Sequence, residues 1–295
     1  MSSQRSGMLN AFLAFVIWGL FPLYFKRLEA IPALEVIAHR TLWSLVVLLL
    51  VLTALRRWAW LGDALKRPRL LASFALSALL LSGNWLMYVW AVQNDHVVDS
   101  SLGYFINPLV SVALGYLVLH ERPRRLQWAA VALAALGVLW LGVGAGHVPW
   151  IALVLAFSFG FYGLMRKTAA LGALEGLTLE TLLLAPLALA GLIGWTLRGE
   201  SAFVAADAAT VGWLLLAGPL TAVPLLLFAA GARRIPLTLL GLMQYVAPTL
   251  QFALGVWVYG EPLDAGRLIG FALIWTALAA YSVEGLVHGR GKAAA

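Results

Sequence analysis

Ten stretches of mainly apolar residues follow one another along this 295-residue chain, with only short polar separators between them. They lie at about 8–25, 34–55, 70–92, 100–119, 126–143, 148–165, 175–197, 210–232, 237–259 and 267–286. A helix that crosses the hydrocarbon core of a bilayer needs about 20 such residues. In lipid every backbone N–H and C=O must be satisfied inside the protein, which leaves only helices and closed barrels. Runs of this length select helices. Composition agrees, since 62% of the residues are hydrophobic and 11% charged, whereas soluble domains carry roughly 25% charged residues. The predicted fold class is an all-α integral membrane protein with ten transmembrane helices. The first run, Leu9–Phe25, has Arg5 before it, Lys26 and Arg27 directly after it, and no small-residue cleavage site beside it. It is expected to be a retained helix, not a removed signal.

The net charge of +7 and a pI near 10.0 would suggest nucleic acid in a soluble protein. Here the basic residues occupy the separators, which fits the positive-inside rule, and no nucleic-acid partner is expected. With a cytoplasmic N-terminus, fifteen of the 20 basic residues fall on the inner side. Four (Lys26, Arg27, Arg198, Arg267) fall on the outer side, and Arg40 lies within a helix. This predicts a multi-pass protein with both termini cytoplasmic. The chain has no cysteine, so disulfides, thiolate metal sites and a Cys nucleophile are excluded. It carries no phosphate-binding loop, no HExxH and no GxSxG, and its lysines sit at helix ends. No cofactor and no metal are expected.

The chain repeats internally. Shifting residues 108–121 by 140 places PLVSVALGYLVLHE on PTLQFALGVWVYGE at 248–261, with six identities, and the same shift pairs Glu35 with Glu175. The expected units are 7–143 (helices one to five) and 148–286 (helices six to ten), with a short cytoplasmic tail at 287–295. Five is odd, so the halves are expected to enter the membrane in opposite senses. Inverted repeats of that kind place a transporter's site near the midplane between halves.

Prolines 108 and 248 sit near the middle of the fourth and ninth runs. Proline cannot donate to the carbonyl four residues earlier, so the carbonyls of Tyr104 and Gln244 are expected to lose a partner. Residues at i, i+4 and i+7 share a helix face. That face is Tyr104, Pro108 and Ser111 on one run and Gln244, Pro248 and Gln251 on the other, with Asn107 and Tyr245 alongside. These residues are candidates for a substrate cavity, weighed against plain helix-to-helix hydrogen bonding. Asn84 and Tyr88, one turn apart, and Trp18 join the candidates. His39, Arg40 and Glu180 are ionisable inside helices, which is costly enough to make each a candidate for gating or proton coupling. Arg40 lies toward the outer surface and Glu180 toward the inner, roughly 12–15 Å apart in depth at 1.5 Å per residue. Arg40 is expected to pair with an outer carboxylate such as Asp99, Glu180 with Lys167 or Arg234, and Glu35 with His39 locally. Glu121 and Glu261 are each expected to accept from backbone N–H groups at the start of the following helix.

WGLFPLYFK (18–26), EVIAHRTLWS (35–44), NWLMYVWAVQNDHVVDSSLGYFINPLVS (84–111), HERPRRLQW (120–128), FSFGFYGLMRK (157–167), LETLLLAP (179–186) and GLMQYVAPTLQF (241–252) together resemble the RarD family of the EamA drug/metabolite transporter superfamily. The likeness runs from about Gly7 to Ser282. Asp95 and His120 depart from the family's pattern near helix ends. The resemblance implies two inverted five-helix EamA-type repeats, a bacterial inner (plasma) membrane location, and export or exchange of a small metabolite or drug through a central cavity. The expected partners are a small-molecule substrate and the lipid bilayer, with pairing of two copies left open. Two rival readings are an intramembrane enzyme acting on a lipid-linked substrate and a non-transporting membrane interaction subunit. The first would need a charged cluster at one depth. The second would tolerate apolar substitutions along the Pro108 and Pro248 faces.

Overall fold

A computed structural model describes residues 3–93, 97–143, 150–258 and 265–291 of the chain. Among these residues every regular element is helical. The helices are α1 (Ser3–Gly19), α2 (Phe21–Phe25), α3 (Ala33–Ala54), α4 (Ala59–Leu65), α5 (Pro68–Gln93), α6 (Val97–Leu117), α7 (Arg125–Val143) and α8 (Trp150–Thr168). They continue as α9 (Ala173–Leu197), α10 (Ala202–Ala205), α11 (Ala208–Ala232), α12 (Leu237–Met243), α13 (Val246–Trp257) and α14 (Ala265–Gly291). The described residues of the ten apolar runs are mostly helical. Among the described residues, eight stretches are long and apolar enough to cross a membrane, and two further apolar stretches, Gly103–Leu117 and Leu268–Tyr281, are shorter.

Helix starts follow from local chemistry. Proline 32 precedes α3, Pro68 opens α5 and Pro236 precedes α12; a missing N–H is harmless there because the first N–H groups of a helix have no intrahelical acceptor. Asp207 caps α11 by accepting from the Thr210 backbone N–H at 2.8 Å. These hydrogen bonds from Thr210 hold its exposed carboxyl below the ordinary range. Arg56 and His120 end α3 and α6 with positive φ of 52° and 53°, the left-handed turn that commonly closes a helix. Glycine takes that turn most easily, and the repeat-equivalent of His120 is Gly260.

The starts also recur. Helices α3 and α5 begin at 33 and 68, while α9 and α11 begin at 173 and 208, 140 residues on in each case. Packing pairs α3 with α9, α7 with α14, α6 with α8 and α12, and α1 with α11 and α13. Small residues permit the close crossings. A Cβ on Gly218 would come within 2.6 Å of the Trp43 backbone, and one on Gly137 within 2.9 Å of the Gly270 carbonyl oxygen. Where α1, α8 and α11 meet, Phe15, Trp18, Phe159, Tyr162 and Phe228 form a ring cluster with centroids 5.3–6.0 Å apart.

Candidate functional site

Two helix breaks open a space at the centre of the bundle. The ninth run does not stay continuous: it breaks at Gln244–Tyr245 between α12 and α13, four and three residues before Pro248. The Gln244 carbonyl does not lose its partner as expected, since it accepts from the Ala247 N–H at 3.2 Å. The first run breaks too, between α1 and α2, where Pro22 cannot donate to the Trp18 carbonyl. The Gln251 side-chain amide donates to that carbonyl instead, at 3.2 Å. One side chain from the second half of the chain thus satisfies a backbone group freed in the first half.

The space between these breaks is a partly open cavity, about 650 Å³ when the open solvent at its mouth is included. Trp18, Asn84, Tyr88, Tyr104, Asn107, Gln244, Pro248 and Gln251 line it, as the sequence suggested. Phe15, Phe21, Pro22, Phe25, Trp85, Ala247 and Phe159 complete the wall. The lining is aromatic and amide, with no charged side chain. Asn107 and Gln244 are 5% and 6% exposed, and the oxygens Asn107 Oδ1 and Gln244 Oε1 have no hydrogen-bond partner. A buried acceptor left unpaired is costly unless a ligand or water meets it.

Pro108, Ser111 and Tyr245 are not among the lining residues. The Ser111 hydroxyl accepts from Gln244 Nε2 at 3.1 Å, and the Tyr245 hydroxyl donates to the Phe105 carbonyl at 3.1 Å. Pro108 presents its carbonyl to Gly241, where a Cβ would approach to 2.8 Å. The two faces therefore divide: one side lines the cavity and the other bonds helix to helix. Asn84 does both, donating to the Leu155 carbonyl and the Ser158 hydroxyl at 2.9 Å each.

The ionisable candidates are placed differently from expectation. Glu180 pairs with Arg166 at 3.3 Å, not with Lys167 or Arg234, and accepts from the Ser77 hydroxyl at 2.5 Å. Arg166 is fully buried and also donates to the carbonyls of Gly172 and Ala173. Lys167 turns to the Ala232 and Ile235 carbonyls, with Glu121 3.9 Å away. Adjacent residues on a helix point about 100° apart, and the loop-like string of two basic residues hid which one faces inward. Arg40 donates from Nε to the Thr221 hydroxyl at 2.8 Å and stacks over the Trp85 ring at 3.7 Å. The Asp99 side chain, its expected partner, lies outside the described residues. Arg40 and Glu180, expected to serve opposite ends, both line one further cavity of about 500 Å³ beside the first, with Trp85 also in its wall.

His39 lies 3.9 Å from Glu35, as a local pair. Glu35 does more than that: it accepts from the Ser201 hydroxyl and the Ala202 and Phe203 N–H groups at 3.0–3.1 Å. Its repeat counterpart Glu175 binds Arg57 at 2.5 Å. Glu121 caps a helix, but α12 of the other half and not the following α7. It accepts from the Leu237 and Thr238 N–H groups at 2.6 and 2.9 Å. Glu261 lies outside the described residues. No group of three His, Asp or Glu suited to a metal occurs among the described residues.

Comparison with known proteins bears on this arrangement. Residues 5–143 match the EamA-like transporter family. "Protein RarD" of Streptomyces exfoliatus is 48% identical over 277 residues, covering 94% of this chain and 88% of that protein. An "Uncharacterized transporter" of Vibrio cholerae is 45% identical over 286 residues, covering 97% and 94%. "Protein RarD" of Escherichia coli (strain K12) is 43% identical over 283 residues, covering 96% and 95%. A solved structure described as "Crystal structure of protein" superposes with a TM-score of 0.71 at 20% identity, covering 95% of this chain and 98% of its own, and so shares the fold.

Proposed function

The chain belongs to the RarD group of the EamA-like transporter family, and we propose that it exports a small organic molecule across the bacterial inner membrane by alternating access. The observation that carries this reading is the central cavity, whose aromatic and amide lining comes from both halves of the sequence and holds two unpaired acceptors. Such a lining suits an amphipathic molecule carrying N–H or O–H donors. Ten crossings in two inverted units, 7–143 and 148–286, fit the helix starts that recur 140 residues apart. Both termini lie in the cytoplasm on the bias of Lys and Arg. Broken helices at the site match how transporters expose backbone only where it lines a cavity.

Glu180 is the coupling candidate. It sits against Arg166 and Ser77 while its second oxygen, Glu180 Oε2, has no partner. His39 belongs to the outer side, beside Glu35, which ties α3 to residues 201–203. The test is uptake of labelled small metabolites and drugs by proteoliposomes with and without an imposed pH gradient. Saturable flux stimulated by the gradient, and lost as gradient-stimulated flux in Glu180→Gln while exchange persists, is the expected result. Saturable flux indifferent to both removes the coupling role. Absence of flux from folded protein across the panel contradicts the transporter reading.

A further inference from the structure

Arg40 is 5% exposed, deep in α3. Its polar contacts among the described residues are one hydroxyl, Thr221, and one aromatic face, Trp85. No described carboxylate lies within salt-bridge reach of it. The other charge in the wall of this cavity is Glu180, which is neutralised by Arg166 behind the wall. The cavity therefore carries one uncompensated positive charge. An arginine does not shed its proton to escape this, because its guanidinium remains charged in proteins. Around it stand the hydroxyl-bearing side chains Thr41, Ser44, Ser82 and Thr221. Buried charges are ordinarily paired, and no described side chain supplies the counter-charge for this one.

We propose that Arg40 is the recognition point for the acid group of the substrate, so that the transported class is organic monoanions with an apolar or aromatic body. This rests on the transporter reading above and narrows it. Trp85 stands between the two cavities, in the wall of both. The Arg40 guanidinium lies 3.7 Å from the Trp85 ring, which also lines the aromatic cavity, so the two cavities adjoin where the acid group and the body of one molecule would bind. The free oxygens Asn107 Oδ1 and Gln244 Oε1 add a preference for hydroxyl or amide N–H groups on that body. A planar guanidinium meets carboxylate, sulfonate or phosphonate oxygens in pairs.

Benzenesulfonate and benzyltrimethylammonium test this, since each is permanently charged and membrane-impermeant and they differ mainly in sign. Binding is followed on the purified full-length protein by thermal midpoint and tryptophan fluorescence at constant ionic strength, and flux is followed in proteoliposomes. Benzenesulfonate should protect the protein saturably, and the cation should not. In Arg40→Gln its affinity should fall at least about thirtyfold, the loss expected for a buried charged contact. The ligand-free melting temperature should not fall, because an unpaired buried charge has gone. Arg40→Lys, which keeps the charge and loses the planar fork, should bind about tenfold more weakly. A ligand-free Arg40→Gln that melts well below wild type would make Arg40 structural and overturn the proposal. So would equal anion binding in wild type and Arg40→Lys. Carriage of benzyltrimethylammonium without benzenesulfonate would overturn the proposal and leave the transporter reading intact. Indifference of the folded protein to both probes would overturn the proposal, while the transporter reading stands or falls on flux across the wider panel of metabolites and drugs.

Discussion

Glu180 and Arg166 form a buried pair whose two members are not interchangeable. Without Arg166, the carboxylate keeps the Ser77 hydroxyl and has the Tyr162 hydroxyl beside it, whereas without the Glu180 charge, Arg166 still donates to the Gly172 and Ala173 carbonyls at 3.4 and 3.2 Å. Breaking a buried pair by deleting one member typically costs about 3–5 kcal/mol. Arg166→Met should therefore lower the melting temperature more than Glu180→Gln in the same detergent; the opposite order would mean that the pair is not the carboxylate's main support. Gln251→Leu strips the Trp18 carbonyl of its side-chain donor and should destabilise by about 1–3 kcal/mol, read as melting temperature and as proteolysis near the α1–α2 break. Much of this was legible in the sequence. The Pro108 and Pro248 register placed Tyr104, Asn107, Gln244 and Gln251 at the cavity because helix periodicity fixes which residues share a face. What was hidden depends on long-range contact. Nothing local says that Arg166 faces inward and Lys167 does not, or that the Trp85 ring would lie over Arg40.

At the scale of elements, helix ends are held across the two halves of the sequence. Glu121, after α6, supplies the acceptors for the first N–H groups of α12, 116 and 117 residues away. The sequence suggested a capping carboxylate but assigned it to the adjacent helix, since a capping residue is recognisable locally while its partner is set by packing. Glu121→Ala should lower stability by about 1–2 kcal/mol, as loss of a helix cap does, with hydrogen exchange rising first in α12. His120 holds a left-handed turn at φ 53°. Glycine there removes a strain of about 1–2 kcal/mol at some entropic cost, so His120→Gly should raise the melting temperature slightly. A fall would show that the histidine side chain does more than terminate α6.

At the scale of the whole molecule, the sequence carried the class of protein because lipid dictates it: apolar runs of spanning length admit few other solutions. The absence of native cysteine makes a direct test of the transport path possible. Phe25, in the cavity wall, can be replaced by a single cysteine and modified with an impermeant methanethiosulfonate reagent. The most direct measurement is saturable flux in proteoliposomes containing Phe25→Cys, before and after modification, with the cysteine-free parent treated in parallel. Passage through the cavity predicts that modification abolishes flux in Phe25→Cys, that reduction restores it, and that the parent is untouched. Undiminished flux after complete modification would contradict it.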